Sequence, residues 1–344
     1  MPSANTIEQL RALLIPEVQR MFLQAMDGVV DRAMLDEMIA AIEANDAERL
    51  FRATGFTPAV LNQVIDVVER AYKESAEMTV DGWPKRIATP FGPVVFRFDI
   101  RNTRVEQDLR NSSSRLISNI TQEIRDNVRE TLERGMIAGE NPRKTALDIV
   151  GRYDRRTGKR VGGIIGLSRN QVSWVEKVNR YLENGDKTYL NLRLRDRRFD
   201  KIVSRAIEEN KKLTDDQISK ITTAYKVKAL KYRAEAIART ETIQSINRGE
   251  YSAYLQAVEE GVVQRSAVTK EWDDVGDGKV RTSHSVLGKK YGRNNGIGLE
   301  EEFISPTGAR FLHPGDTSLG AGAEEITHCR CKTRYRIDFL KGVA

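Results

Sequence analysis

The sequence predicts a mainly helical α+β protein, with helical N-terminal and middle regions and a small C-terminal α+β domain that contains a short antiparallel sheet. Three observations predict it. Apolar residues recur at helical spacing through most of residues 6–260. After Gly261, short alternating stretches are separated by turns that contain glycine and proline. The chain has 344 residues, which is more than one hydrophobic core usually supports, so several domains are expected.

Four consecutive segments are predicted. Residues 1–82 form an acidic helical region, and residues 83–138 form a strand followed by a long helical connector. Residues 139–260 form a basic helical region, and residues 261–344 form the small C-terminal domain.

Capping signals and periodicity define the N-terminal elements. Thr6 and Gln9 have the spacing of a capping box. A helix is expected from Pro58 to about Met78, because Thr57 precedes a proline at the first helical position. Val94–Ile100 is rich in β-branched and aromatic residues, which predicts a strand. Its expected partner is the C-terminal region or, preferably, a neighbouring subunit.

The middle of the chain alternates helices with a basic loop. Helices are expected over residues 105–138, 142–150, 169–182, 193–209 and about 218–260. The glycine-rich loop at residues 151–163 lacks the Gly-Lys-Ser/Thr sequence of a phosphate-binding loop, so an NTP site is not expected.

The C-terminal domain is predicted to consist of strands and turns. Strands are expected at residues 264–273 and 326–337, with a hairpin that pairs residues 301–304 with 309–312. Residues 292–298 and 315–322 are expected to be mobile loops.

The net charge of +7 is unevenly distributed. Residues 1–100 hold 10 Lys and Arg against 15 Asp and Glu, residues 101–240 hold 32 against 19, and residues 241–344 hold 14 against 15. The basic middle indicates an acidic partner such as nucleic acid, or else a solvated surface laced with salt bridges. The candidate nucleic-acid contacts are Arg155, Arg156, Lys159, Arg160, Arg193, Arg195, Arg197 and Arg198.

No stretch approaches the roughly 18 uninterrupted apolar residues of a membrane helix, and the N-terminus lacks the pattern of a signal peptide. We therefore expect a cytoplasmic protein. The two cysteines are separated by one residue, so reduced thiols are expected rather than a disulfide framework.

All three histidines and both cysteines fall within residues 284–331. Cys329, Cys331, His284 and His313 are the residue types of a four-coordinate zinc site, although the short Cys-x-Cys spacing on a flat strand would hold the sulfurs apart. The alternative is a pair of buried thiols, with His284 satisfied by a carboxylate such as Asp273.

A metal-dependent hydrolase or nuclease is the alternative function. His284 would act as general base, oriented by Asp274 or Asp316, or Cys329 would act as nucleophile beside His328 or His284. The chain has no nucleophile elbow, no His-Glu-x-x-His and no paired-carboxylate signature. We therefore expect that the protein is not an enzyme.

Several motifs occur in one order: Ala238-Arg239-Thr240-Glu241 on a long helix, Trp272 after a short strand, Arg281-x-x-His284, Pro314-Gly315-Asp316 and Cys329-x-Cys331. Together they resemble the head-morphogenesis domain of tailed bacteriophages, the phage Mu F-like minor head protein family. The resemblance covers about residues 140–335, and its most specific part is residues 234–331. His313 and His328 depart from the family pattern, so the resemblance assigns neither a role.

The resemblance implies a structural and assembly protein near the portal of the phage head, which acts in capsid assembly, DNA packaging or ejection. Its implied partners are the portal protein, other head proteins and double-stranded DNA bound without sequence preference, with no membrane and no small-molecule substrate. The implied location is the host cytoplasm during assembly and then the virion. The motif residues with an expected structural role are Arg239, Glu241, Trp272, Arg281 and Asp316. Arg239 or Glu241 is expected to tie the long helix to the C-terminal sheet by an ion pair.

Overall fold

A computed structural model describes residues 6–341 and confirms a mainly helical α+β protein with small antiparallel sheets. The α-helices are α1 Ile7–Arg32, α2 Leu35–Glu43, α3 Ala47–Ala53, α4 Asn62–Asp81, α5 Thr103–Ile137, α6 Pro142–Val150, α7 Arg169–Glu183, α8 Asp200–Glu208, α9 Asp215–Glu259, α10 Thr282–Lys290 and α11 Ala323–Ile326. The strands are β1 Arg152–Asp154, β2 Lys159–Val161, β3 Val268–Asp273, β4 Ile297–Gly298, β5 Phe303–Ile304, β6 Arg310–Phe311 and β7 Lys332–Ile337. Short 3₁₀ helices occupy Pro58–Leu61, Lys187–Asn191, Arg197–Phe199 and Arg265–Ala267.

The chain divides into two compact units, each built from segments that are distant in sequence. Of the described residues, unit 1 comprises 6–19, 64–111 and 235–341, and unit 2 comprises 20–63 and 112–234. The sequence analysis divided the chain after residues 82, 138 and 260, whereas the boundaries between these units follow residues 19, 63, 111 and 234. Helices α1, α4, α5 and α9 each contribute residues to both units, so the four boundaries fall within helices, where the sequence carries no linker signal. Within residues 6–341, every helix is too short or too polar to span a lipid bilayer.

In unit 1, α4 packs closely against the C-terminal half of α9. A β-carbon added at Gly249 would lie 2.2 Å from the carbonyl oxygen of Tyr72, so only glycine permits this approach. The Tyr72 hydroxyl donates to Ser252 Oγ at 2.5 Å, and Ser75 Oγ donates to the carbonyl of Ile246 at 3.1 Å. These contacts fix the face that α9 presents to the C-terminal module, residues 261–341.

The strand predicted at Val94–Ile100 is absent, which corrects the sequence-based expectation. One isolated antiparallel bridge forms between Ile87 and Val94. Phe96 instead stacks on Trp83, with ring centroids 5.6 Å apart, in a buried cluster that also contains Tyr254. Phe96 is therefore buried beside Trp83 and Tyr254 rather than paired in a sheet, whereas Val95 is exposed.

The C-terminal module is built on a three-stranded antiparallel sheet in the order β4-β3-β7. The register of β3 and β7 runs from Val268 opposite Ile337 to Asp273 opposite Lys332. The predicted hairpin is confirmed as β5 paired with β6. The last strand begins at Lys332 rather than at residue 326, because α11 and an irregular segment at residues 327–331 precede it.

In unit 2, α7 begins with a capping box in which Ser168 and Gln171 each accept a hydrogen bond from the other's backbone N–H. The side chain of Gln171 also donates to the carbonyl of Ala229 at 2.7 Å, which ties α7 to α9. The predicted loop at residues 151–163 contains the β1–β2 hairpin. The helix predicted from residue 193 begins only at Asp200, after a 3₁₀ turn.

Candidate metal centre

Two parts of the C-terminal module bring His284, Cys329 and Cys331 together. His284 lies in the first turn of α10, and the cysteines lie on the irregular segment between α11 and β7. His328, between them and α11, adopts a left-handed backbone conformation with φ of 57°. This turn reverses the chain and directs both thiols toward α10.

The ligand atoms of the three residues converge on one point. His284 Nδ1 lies 3.5 Å from Cys329 Sγ and 3.4 Å from Cys331 Sγ, and all three ligand atoms lie within 4.8 Å of one another. Metal–sulfur bonds of about 2.3 Å and metal–nitrogen bonds of about 2.0 Å, at the tetrahedral angle, separate sulfur from nitrogen by about 3.5 Å. The cluster could therefore hold a metal ion with little rearrangement.

The expectation that Cys-x-Cys would hold its sulfurs apart is wrong for this chain. That expectation assumed a flat strand, in which alternate side chains on one face are several ångströms apart. Cys329 and Cys331 instead precede β7 in a tight turn, where the amide of Cys329 donates to the carbonyl of Ile326 at 3.1 Å. The turn allows both sulfurs to reach the same imidazole nitrogen.

The other ring nitrogen of His284 faces Glu325, which the sequence analysis did not identify. Nε2 lies 3.0 Å from Glu325 Oε2, at ion-pair distance but outside the angular range of a hydrogen bond. Ser283 Oγ and Thr307 Oγ1 donate to the Glu325 carboxylate at 2.9 and 2.6 Å. A carboxylate behind a histidine is the usual outer partner of an imidazole metal ligand, because it fixes the ring orientation and the tautomer.

The pKa of Glu325 is shifted downward, which favours the ionised carboxylate. Burial alone raises the pKa, but the hydrogen bonds from Thr307 and Ser283 and the proximity of His284 outweigh burial, and the net shift is downward. The imidazole predicted to pair with Asp273 therefore has Glu325 as its carboxylate neighbour.

The two thiols have unequal pKa values. The hydrogen bond from the Cys331 thiol, assisted by His284, lowers the pKa of Cys329 well below its ordinary value despite burial. The same hydrogen bond, burial and the negative charge on Cys329 raise the pKa of Cys331. The lowered pKa of Cys329 favours its thiolate, the form that binds metal ions.

Aromatic rings enclose the cluster. The Trp272 ring lies 5.2 Å from the His284 ring, 5.3 Å from Phe303 and 5.6 Å from Phe311, centroid to centroid. The exposed fraction is 1% for His284, 4% for Cys329 and 2% for Cys331. The three ligands leave one tetrahedral position of a zinc ion unfilled by protein, but the surroundings are closed as in structural metal sites rather than open to water or substrate as in catalytic ones.

His313, predicted as a fourth ligand, lies elsewhere in the module. Its ring packs 5.7 Å from that of Tyr251, and its Nδ1 lies 3.3 Å from the carbonyl oxygen of Pro314. Burial lowers its pKa, which favours the neutral imidazole. Among residues 6–341, the cluster with metal-ligand geometry contains His284 and the two cysteines but not His313.

Asp316 holds the Pro-Gly-Asp turn in place rather than orienting His284. Its two carboxylate oxygens accept hydrogen bonds from the amides of Leu312 and Ser318, both at 2.8 Å. The carbonyl of Leu312 accepts a further hydrogen bond from the buried ammonium group of Lys270 at 2.7 Å. Asp316 therefore supports the loop that packs beside α9.

Neutral side chains on α9 form hydrogen bonds with the C-terminal module. Of the two residues predicted to form an ion pair with that module, Arg239 pairs with Glu235 on its own helix at 3.0 Å. Thr240 Oγ1 accepts from the amide of His328 at 3.0 Å, and Asn247 Nδ2 donates to the carbonyls of Pro314 and Cys331 at 2.9 and 3.2 Å.

Arg281 supports the cysteine-bearing segment directly. It stands immediately before α10, and its guanidinium donates to the carbonyl of Thr327. The motif Arg281-x-x-His284 thus contacts the same segment twice. Arg281 contacts Thr327, and His284 contacts both cysteines.

Half of the predicted nucleic-acid contacts have internal partners. Arg195 pairs with Asp200 at 3.1 Å, Arg198 with Asp196 at 2.7 Å and Lys159 with Asp27 at 3.0 Å, and Arg160 donates to the carbonyl of Gly151 at 3.3 Å. Their charges are in part neutralised within unit 2.

The other half are exposed, and the structure of residues 6–341 gives them no ion pair: Arg155, Arg156, Arg193 and Arg197. Arg155 and Arg156 lie in the turn of the β1–β2 hairpin. Among the predicted nucleic-acid contacts, the positive charges without an ion pair therefore lie at this hairpin and in the segment before α8.

Comparison with known proteins finds no match to this chain among protein-family models, curated proteins or solved structures.

Proposed function

We propose that this protein is a minor head protein of a tailed bacteriophage, a structural component near the portal that acts in capsid assembly, DNA packaging or ejection. One observation carries the proposal. The motif pieces that resemble the head-morphogenesis family lie up to about 90 residues apart, yet they contact one another in unit 1. Thr240 and Arg281 hold the segment at residues 327–328, and His284 meets both cysteines.

The interlocked residues are buried and contact one another, which suits a supporting role rather than turnover. A hydrolase would need an open position at which water or substrate meets the metal or the nucleophile. His284 and both cysteines are almost fully enclosed. We therefore propose that the protein is not an enzyme.

The proposed metal is zinc, held by Cys329, Cys331 and the Nδ1 atom of His284, with Glu325 as the outer carboxylate. Thiolate and imidazole ligands together favour zinc over harder ions. A bound ion would join α10 to the segment before β7 and thereby stabilise a small module that has short strands.

The proposed DNA contact is electrostatic and involves the four exposed arginines without ion pairs. Double-stranded DNA is the expected partner, bound without sequence preference. Each phosphate contact contributes about −0.9 to the slope of log affinity against log salt. Duplex affinity should therefore fall steeply as salt rises and should vary little with sequence.

The metal proposal is tested by elemental analysis of protein purified without added metal. We expect about one zinc per chain and a lower melting temperature after chelation. The variant Cys331→Ser should lose the zinc, while Ser285→Ala on α10 serves as the matched control and should keep it. Protein that holds no zinc and whose melting temperature is unchanged by chelator would overturn the proposal and leave a cluster of buried thiols.

The proposal of a non-enzyme is tested by incubating the protein with plasmid DNA, RNA and casein, with and without divalent metals. We expect no cleavage. Cleavage that disappears in His284→Ala and is not seen with a mock preparation would support the hydrolase or nuclease alternative and overturn the assembly role.

The assembly role is tested in a phage that carries this gene. Its neighbouring genes should include those for a portal protein and a large terminase, and co-expressed portal protein should copurify with this chain. Deleting the gene should reduce infectivity, and a copy in trans should restore it. Full infectivity without the gene would contradict the proposed role.

A further inference from the structure

Unit 2 contains a cavity of about 310 Å³ whose walls combine aromatic rings with positive charge. The rings are Trp174, Tyr181, Tyr225 and Tyr232, and the cations are Lys177 and Arg193. Two leucines from the segment before α8 complete the lining. This volume is at the lower end of the range for small-molecule sites.

The sequence places these groups on facing elements. Trp174, Lys177 and Tyr181 follow one another at intervals of three and four residues, so they share one face of α7. Tyr225 and Tyr232 are seven residues apart, which places them on one face of α9. Arg193 enters from the segment between the helices, and its guanidinium lies 5.1 Å from the centre of the Tyr232 ring.

One of the rings, that of Trp174, is partly exposed to a ligand. Trp174 is 36% exposed, whereas the other two tryptophans of the chain, Trp83 and Trp272, are 8% and 1% exposed. A tryptophan at the mouth of a cavity lined by three more rings presents a flat π surface that core packing has not used.

The cations of the cavity are also available. Lys177 and Arg193 form no ion pair within residues 6–341, in contrast to Arg195 and Arg198 nearby, which pair with Asp200 and Asp196. Two unneutralised cations beside aromatic rings suit an anionic ligand that has an aromatic face. A nucleotide has both features, since its base stacks on aromatic rings and its phosphate attracts lysine and arginine.

We propose that this cavity binds an unpaired nucleotide of single-stranded DNA, with the base stacked on Trp174 and the flanking phosphates beside Lys177 and Arg193. An intact duplex does not fit, because its bases are stacked inside the helix and offer no free face. The inference deepens the DNA contact proposed above and rests on it, because it adds stacking on a single strand or strand end to a general attraction for phosphate.

The binding experiment uses the full-length chain and a short oligothymidylate. We expect the oligonucleotide to quench tryptophan fluorescence, because Trp174 is the exposed tryptophan. Stacking on an aromatic side chain contributes enough that Trp174→Ala should weaken the affinity, measured by anisotropy of labelled oligonucleotide, by about 5-fold to 150-fold. Trp174→Phe, which keeps a ring, should retain most of the affinity.

Two controls separate stacking from charge and from folding. Tyr153 is 63% exposed in β1 of the same unit and lies outside the cavity, so Tyr153→Ala should leave the affinity unchanged. Lys177→Gln should make the log–log salt dependence for the single strand shallower by about 0.7. All variants should match the wild-type melting temperature.

The outcomes distinguish this inference from the proposed DNA contact. If duplex affinity is salt-dependent but single-strand affinity is the same in Trp174→Ala as in wild type, the cavity assignment is overturned and the duplex contact stands. If neither duplex nor single strand binds at low salt, both are overturned. If an acidic aromatic peptide binds more tightly than oligothymidylate and loses affinity in Trp174→Ala, the cavity is a peptide site instead.

Discussion

Replacing Glu250 by glutamine should stabilise the protein at neutral and alkaline pH. Glu250 lies on α9, and its Oε2 atom is buried without a hydrogen-bond partner among residues 6–341. Burial raises the pKa of this carboxyl group from 4.5 to about 7; Arg11 and Lys332 oppose that rise, and Glu8 adds to it. The folded state therefore favours the protonated acid.

The magnitude follows from the difference between the folded and unfolded pKa values. Below pH 4.5 both states are protonated, and Glu250 imposes no penalty. As the pH rises toward 7 the unfolded state loses its proton first, so stability falls, and above pH 7 the penalty is complete. One pKa unit corresponds to about 1.4 kcal/mol, so the full penalty is at most about 3 kcal/mol.

Urea unfolding of wild type and Glu250→Gln at about pH 4.5 and about pH 8 measures this effect. The variant should gain up to about 3 kcal/mol at the higher pH and close to nothing at the lower one. Glu133→Gln, at an exposed position on α5, is the matched control and should change neither. A difference between Glu250→Gln and wild type that is the same at both pH values would refute the reasoning.

Three further predictions concern the module and the basic surface. Glu325→Gln should lower zinc affinity by about 10-fold to 100-fold, measured by competition with a chelator, while Glu324→Gln, exposed beside it, should not. Asn247→Ala should lower the free energy of unfolding by about 3 kcal/mol, measured in urea, because two buried carbonyls lose their donor. Changing Arg193 and Arg197 together to glutamine should make the salt dependence of duplex binding shallower by up to about 1.8, and an unchanged slope would show that neither contacts phosphate.

Local signals in the sequence predicted the helices well. Ser168 and Gln171 have the spacing of a capping box, and the structure contains that box at the start of α7. The long periodic stretch that predicted a helix to residue 260 corresponds to α9. Such elements depend on residues three or four positions apart, which a single sequence displays directly.

Pairing between distant segments could not be predicted in the same way. Val94–Ile100 has the composition of a strand, yet a strand needs a partner edge, and the packing of Phe96 on Trp83 decided its conformation. Glu325 could not be recognised as the neighbour of His284, since their contact depends on where α10 and α11 pack. The sequence identified the residue types of the cluster, but only the turn at His328 explains why Cys329 and Cys331 converge.

The central claim is that this protein is a structural component of a phage head. Quantitative mass spectrometry of purified, DNA-filled heads from a phage that carries the gene tests it most directly. The protein should be present in a few copies for each portal ring and should remain after free proteins are removed by density-gradient sedimentation. Heads that are complete and infectious but contain none of this chain would contradict the claim.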